Sequence, residues 1–181
     1  MREYVVVEKL EGQAVQTFIG QDSSVLESLG EGLARIHQHR ENYAGNPSGT
    51  FQVSLHEFHH HLSKGAAKLV SKFHSDNEKI AAMLPEVTEL LSSLPYPETS
   101  AFVLVDIDPS QFLSNGKEMT GLVDTEAYVI SPREFDFIGL EYILDKQSAQ
   151  DFKRGYEKIM PFPDLQKVRL PYRYFYRLLS V

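Results

Sequence analysis

The sequence contains no cysteine among its 181 residues. Disulfide bonds, thiolate zinc sites, iron–sulfur clusters and a cysteine nucleophile are therefore excluded. Basic residues are also few, because 18 Lys and Arg stand against 25 Asp and Glu and give a formal net charge of −7. This acidic balance argues against a nucleic-acid-binding protein, whose surface normally carries a basic stripe. We therefore expect no nucleic-acid partner.

Long apolar runs are missing as well. No stretch approaches the ~18 consecutive apolar residues of a membrane span. The first residues run from Met1 into an acidic segment and lack the apolar centre of a signal peptide. These absences predict a cytoplasmic protein with no membrane partner, and the length suits about one domain of ordinary size.

The patterning predicts an α+β fold that is mainly α. A β-branched run predicts a strand at residues 4–7, and Asn115-Gly116 between two apolar runs predicts a hairpin with a tight turn. Apolar spacing predicts helices, with Ser23 or Ser24 capping the first and Pro85 able to split the third. The predicted helices span residues 23–40, 53–73, 77–94, 135–144, 149–159 and 165–179, and the other strands span residues 101–105, 112–114 and 119–123.

Three aspartates follow short apolar strands, namely Asp106, Asp108 and Asp124. The predicted hairpin between them brings the strand ends together. Phosphoryl transfer uses this arrangement, since one carboxylate orients or deprotonates the acceptor hydroxyl while amide and carboxylate oxygens hold Mg²⁺. Taken singly, each aspartate could equally serve a turn or a helix cap.

The stretch from Asp106 to Asp136 resembles the aminoglycoside phosphotransferase family, which includes choline-kinase-like enzymes of the protein-kinase-like fold. That family reads His-Gly-Asp-Leu-His-Pro-x-Asn, then Val-Ile-Asp-Trp-Glu after a hairpin, then an Asp that opens the next helix. The resemblance implies that Asp106 is the catalytic base and that Gln111 and Asp124 bind Mg²⁺. Glu126 and Asp136 take structural positions near the site.

The resemblance extends over nearly the whole chain. Residues 4–12 resemble the family's hinge strand, which implies that Glu8 lies near the adenine of ATP. Residues 29–37 resemble its first large helix, LG-x-x-LA-x-LH, and residues 152–156 resemble its late F-x-x-GY helix. The implied organisation is one kinase-like C-terminal lobe over residues 1–181. Its parts are a hinge strand (1–12), a helical part (23–94), the catalytic and metal loops with their hairpin (101–126) and C-terminal helices (134–181).

The sequence also departs from the family pattern. Leu104 and Val105 replace the His-Gly before the catalytic Asp, and Gln111 replaces Asn. No Gly-rich loop lies near the start, so we expect a C-terminal lobe without the N-terminal lobe that holds ATP.

Two hypotheses follow for the function. In the first, the protein is an ATP- and Mg²⁺-dependent phosphotransferase acting on the hydroxyl of a small molecule. In the second, it is a degenerate kinase-like protein that binds without catalysis. An uncovered face around residues 4–7 would favour a homodimer through that strand in either case.

Two further patterns admit other functions. His56-Glu57-Phe58-His59-His60 matches the H-E-x-x-H motif of zinc hydrolases, although this segment, which continues to His61, is His-rich and also fits an exposed helix face. Tyr172, Tyr174, Phe175 and Tyr176, with Arg173 and Arg177, could stack on bases. The acidic total charge instead favours a terminal amphipathic helix packed on the core.

Overall fold

The computed structural model describes residues 9–105, 107–125 and 127–179. Over these residues the fold is α+β, as predicted, with six α-helices and eight short strands. The helices are α1 (Ser23–His37), α2 (Phe58–Phe73), α3 (Glu78–Ser93), α4 (Glu134–Leu140), α5 (Lys146–Glu157) and α6 (Arg169–Leu179). The strands are β1 (Gln13–Ala14), β2 (Arg40–Glu41), β3 (Tyr43–Gly45), β4 (Gln52–Ser54), β5 (Ser100–Val103), β6 (Phe112–Ser114), β7 (Met119–Leu122) and β8 (Val129–Ser131).

The strands form two antiparallel sheets. The larger sheet has the order β2-β5-β8-β3-β4, and the smaller has the order β1-β6-β7. Strand β5 leads into the loop that contains residue 106, and the hairpin β6–β7 leads to residue 124. Val103 at the end of β5 pairs with Val129 at the start of β8, so the chain leaving β5 starts beside the end of the segment that connects β7 to β8.

Two glycines allow α1 and α5 to cross closely. A Cβ atom on Gly30 would lie 2.1 Å from the Phe152 carbonyl oxygen, and one on Gly155 would lie 1.9 Å from that of Glu27. Real Cβ atoms do not approach other atoms so closely. These glycines belong to the two helical motifs quoted above, so the motifs meet each other across this helix pair.

The core divides into two apolar clusters. One lies between α1, α5 and the smaller sheet and is centred on Phe18, Phe137 and Tyr156. The other lies between α2, α3, α6 and the larger sheet. Tyr172 and Tyr174 of α6 are buried in it, and Tyr172 stacks on Phe135 with ring centroids 4.3 Å apart. The prediction that the terminal aromatic helix packs on the core is confirmed.

Several predicted boundaries were wrong. Residues 40–45 form β2 and β3, and residues 52–57 form β4 and a 3₁₀ turn before α2 begins. These strands are only two or three residues long, too short for an alternating pattern, and they gain stability from pairing with the larger sheet. The part of the chain between residues 23 and 94 is therefore not purely helical.

Three local predictions were also wrong. Pro85 lies inside α3 without splitting it. The hairpin connection spans four residues rather than a two-residue turn, because the Asn115 side chain accepts from the N–H groups of Lys117 and Glu118 and Gly116 has φ of 84°. In addition, Asp22 rather than Ser23 or Ser24 precedes the first helix as its N-cap residue.

Among the described residues, no helix combines the length and apolar character needed to cross a membrane.

Candidate active site

The hairpin β6–β7 brings the two predicted metal-binding positions together. Phe112 pairs with Leu122, and the ladder continues where the Val123 N–H donates to the Gln111 carbonyl oxygen at 2.8 Å. Asp124 follows directly and is exposed. The hairpin therefore places the backbone of Gln111 beside the residue before Asp124.

The Gln111 side chain has a local partner in this structure. Its Oε1 accepts from the Asp108 N–H at 3.2 Å, while the Asp108 carboxylate accepts from the Ser110 N–H at 2.8 Å. This reciprocal pair caps the 3₁₀ turn Pro109–Gln111. Hydrogen bonds from the Ser110 hydroxyl and N–H lower the pKa of the Asp108 carboxyl. Asp108 is therefore a helix-cap aspartate, the structural alternative that the sequence left open for it.

A buried aspartate holds the loop that leads into residue 106. Asp136, which is 0% exposed, accepts from the Leu104 N–H at 2.8 Å and the Val105 N–H at 3.4 Å through Oδ1. Charge-assisted bonds of this kind are stronger than neutral ones. Asp136 lies in the first turn of α4, so the loop is anchored to a helix of the core.

The other oxygen of Asp136 contacts a histidine from α1. His37 Nε2 lies 3.1 Å from Asp136 Oδ2, and His37 Nδ1 lies 3.0 Å from the Tyr156 hydroxyl. Arg133 in turn donates to the Tyr156 oxygen at 2.8 Å. Because a carboxylate only accepts, His37 Nε2 is the donor in its contact with Asp136.

This polar chain was not predicted from the sequence, although three of its members lie in the quoted motifs. His37 ends the first helical motif, Tyr156 ends the late one and Asp136 opens α4. The spacing gave no sign that they meet, since the bonds join residues 99 and 119 positions apart. Burial raises the pKa of Tyr156 to about 12, partly offset by Arg133, so its hydroxyl stays protonated at neutral pH.

Backbone strain is concentrated at the same loops. Over the described residues, the non-glycine residues with positive φ are Val105 at 59° and Asp124 at 54°. This region is unfavourable for L-residues and most of all for a β-branched one. Val105 occupies the position of the family's Gly, which offers a reason for a glycine there. Such strain persists only where the surroundings enforce it, and it concentrates at functional sites.

Some predicted positions lie outside the described residues. These are Glu8, Asp106 and Glu126, together with the strand predicted at residues 4–7. Their assigned roles, and the dimer through that strand, stay predictions.

The histidine-rich segment has a different environment from a zinc site. His59 is buried, with Nε2 2.9 Å from the Tyr172 hydroxyl, and burial lowers its pKa. The His56 ring packs on Tyr96 with centroids 3.9 Å apart. In the part of the chain that the structure describes, no three His, Asp or Glu side chains are grouped to hold a metal. The H-E-x-x-H match therefore has no third ligand there.

Comparison with known proteins identifies relatives by structure. No family model matches the sequence, and no curated protein matches it. A macrolide 2'-phosphotransferase type I has a TM-score of 0.64 at 15% identity, over 94% of this chain and 60% of that one. A macrolide 2'-phosphotransferase from Brachybacterium faecium has a TM-score of 0.65 at 14% identity, over 95% of this chain and 59% of that one. A choline/ethanolamine kinase family protein from Mesorhizobium loti has a TM-score of 0.59 at 16% identity, over 96% of this chain and 56% of that one.

These likenesses establish a shared fold. The resemblance to aminoglycoside phosphotransferases and choline-kinase-like proteins, stated from the motifs, is confirmed at the level of the fold. The chain spans between 56% and 60% of the length of these three structures.

Proposed function

We propose that this chain provides the catalytic loop, metal-binding and acceptor-binding part of an ATP-dependent phosphotransferase that acts on the hydroxyl of a small molecule. The observation that carries the proposal is the paired strain at Val105 and Asp124. Val105 immediately precedes the proposed base in the chain, and Asp124 follows the hairpin that carries Gln111. A β-branched residue such as Val105 is an outlier in this region, whereas aspartate tolerates it better, so a stability-driven sequence would place glycine at position 105.

Asp106 is the proposed catalytic base. It would accept the proton of the acceptor hydroxyl as the oxygen attacks the γ-phosphorus of ATP and the bond to ADP breaks. Positioning and charge stabilisation supply most of the rate in this chemistry. The Asp136 bonds to the N–H groups of Leu104 and Val105 would therefore serve catalysis by fixing the approach to Asp106.

Gln111 and Asp124 would hold Mg²⁺, which would supply positive charge to neutralise the phosphates. The donor set fits this ion, since Mg²⁺ takes hard oxygen ligands and usually binds through one or two carboxylates with waters and substrate phosphates. Gln111 has the required amide oxygen, although that oxygen now accepts from the Asp108 N–H. Asp124 is exposed and free to reach a phosphate-bound ion from solvent.

Isothermal titration calorimetry with ATP, with and without Mg²⁺, tests the proposal. We expect Mg²⁺-dependent binding to the wild type and about tenfold or greater weakening in Asp124→Asn. Asp76→Asn, an exposed aspartate at the turn before α3, serves as the matched control and should bind like the wild type. Absence of Mg²⁺-dependent binding by the wild-type chain would favour the non-catalytic hypothesis.

A further inference from the structure

A cavity of about 410 Å³ opens between the β3–β4 hairpin, β8, α2 and α6. Its size falls within the range of about 300–1,000 Å³ that is usual for small-molecule sites. Apolar side chains from separate elements form its wall, including those of Val53, Phe58, Leu62, Val105, Val129 and Phe175.

Of the described side chains in the cavity wall, the one that can titrate near neutral pH is His61, which is exposed. Among the described residues that line it, none is Asp, Glu, Lys or Arg. Asn46 is occupied by its own turn, because its amide donates to the Thr50 hydroxyl at 2.7 Å and accepts from the Phe51 N–H at 3.0 Å. His61 and Phe51 are exposed at the cavity rim, with ring centroids 5.4 Å apart. A carboxylate entering this space would lose its hydration without gaining a partner, and an ammonium group would find no carboxylate, with phenyl rings offsetting only part of its lost hydration.

The cavity adjoins the proposed catalytic loop through Val105. This residue is part of the wall and immediately precedes Asp106 in the chain. Its N–H is also held by Asp136, so the wall and the loop share one anchored residue. A molecule in the cavity would thus lie against the loop that carries the proposed base.

We infer that this cavity holds the apolar body of the acceptor, which makes the acceptor an uncharged alcohol with an apolar ring or chain next to the reacting hydroxyl. The inference rests on the proposed function and narrows its substrate class. Polycationic sugars and other charged alcohols are excluded from the cavity by the lack of charged partners in its described wall.

Methyl-detected NMR titrations with three six-membered-ring probes test the inference. Cyclohexanol is apolar and uncharged, myo-inositol is polar on every carbon, and cyclohexylamine is cationic at neutral pH. We expect saturable shifts of the methyl groups of Leu62, Val105 and Val129 with cyclohexanol. The other two probes should bind at least about tenfold more weakly, since their polar groups would be desolvated.

Two cavity-filling variants localise the binding. Val129→Phe fills the cavity from β8, and Val53→Phe fills it from β4, so one remains informative if the other does not fold. Each should weaken cyclohexanol binding by about tenfold or more. Ile19→Phe adds an aromatic ring at an exposed position outside the cavity and should leave that binding unchanged.

The outcomes separate this inference from the proposed function. If the chain binds Mg²⁺-ATP but myo-inositol or cyclohexylamine shifts these methyl groups as strongly as cyclohexanol, the apolar acceptor is wrong and the phosphotransferase stands. If cyclohexanol enters the cavity but the chain shows no Mg²⁺-dependent ATP binding, the acceptor assignment falls together with the proposed function.

Discussion

At the residue scale, Val105 has a strained backbone, lines the apolar cavity and immediately precedes Asp106 in the chain. Holding a β-branched residue in the left-handed region costs of order 1–3 kcal/mol. Replacing Val105 with glycine removes this cost. The variant also loses the half-buried side chain, and its unfolded chain gains conformational freedom.

We predict that Val105→Gly lowers the free energy of unfolding by less than Val129→Gly does. The expected difference between the two losses is about 1–3 kcal/mol. Val129 is the matched control, because it is also half-buried and lines the same cavity, but its φ is not positive. Urea denaturation of the two variants measures the difference. Equal losses would show that the backbone at Val105 is unstrained.

A second prediction at this scale concerns Asp136. Asp136→Ala leaves the buried Leu104 N–H without its acceptor and His37 Nε2 without its partner. We expect a loss of about 2–4 kcal/mol in the free energy of unfolding. Asp136→Asn keeps an oxygen for Leu104 and should cost less. A change below about 0.5 kcal/mol for the alanine variant would contradict the anchoring role of this carboxylate.

At the scale of elements, the crossing of α1 and α5 depends on two glycines. Gly30→Ala and Gly155→Ala would each place a methyl group against backbone of the opposite helix and force the helices apart. We expect losses of about 1–3 kcal/mol or more, as in other overpacked sites. Thermal and urea unfolding measure these losses.

Gly32→Ala provides the internal control for this helix pair. Gly32 also lies in α1, but nothing lies within 4 Å of a Cβ atom built on it. Alanine should stabilise the helix there by up to about 1 kcal/mol. Destabilisation at Gly32 equal to that at Gly30 would contradict close helix packing as the cause of the loss at Gly30.

The elements also show how far sequence reasoning reaches. Helices α1, α2, α3 and α6 lie within the predicted segments because their apolar spacing is sustained over several turns. The sequence did not predict the strands β1, β2, β3, β4 and β8, because pairing rather than propensity creates strands of two or three residues.

Some features of the candidate site could likewise be predicted from the sequence, and others could not. Spacing and resemblance selected Gln111, Asp124 and Asp136, and the hairpin does bring the first two together along the backbone. The contact of Asp136 with His37, 99 residues away, could not be predicted because it depends on the packing of α1 against α4. The positive φ at Asp124 has no local sequence signal, whereas the family's Gly at the position of Val105 indicates a backbone conformation that favours glycine.

For the whole molecule, stability should depend on pH through His59. Burial lowers the pKa of this ring below its ordinary value of 6.5. Below pH 6.5 the unfolded chain therefore binds a proton that the folded protein does not, and stability falls as the pH falls through that window. Its contribution is fully present above pH 6.5.

The measurement is the melting temperature of the wild type and His59→Gln at about pH 7.5 and about pH 5.5. The wild type should lose several degrees more than His59→Gln between the two conditions. His60→Gln, at an exposed neighbouring position, should keep the wild-type dependence. The same pH dependence in all three proteins would show that His59 does not contribute.

The position at which a divalent metal ion binds tests the account most directly. It shows whether the loops that follow Val105 and contain Asp124 form a magnesium–nucleotide site. The measurement is paramagnetic broadening of backbone amide signals by Mn²⁺ in the presence of ATP, with Mn²⁺ standing in for Mg²⁺. The account predicts the strongest broadening at residues 105–111 and 123–125, lost in Asp124→Asn. Broadening centred instead on His56–His61, or none that depends on ATP, would contradict it.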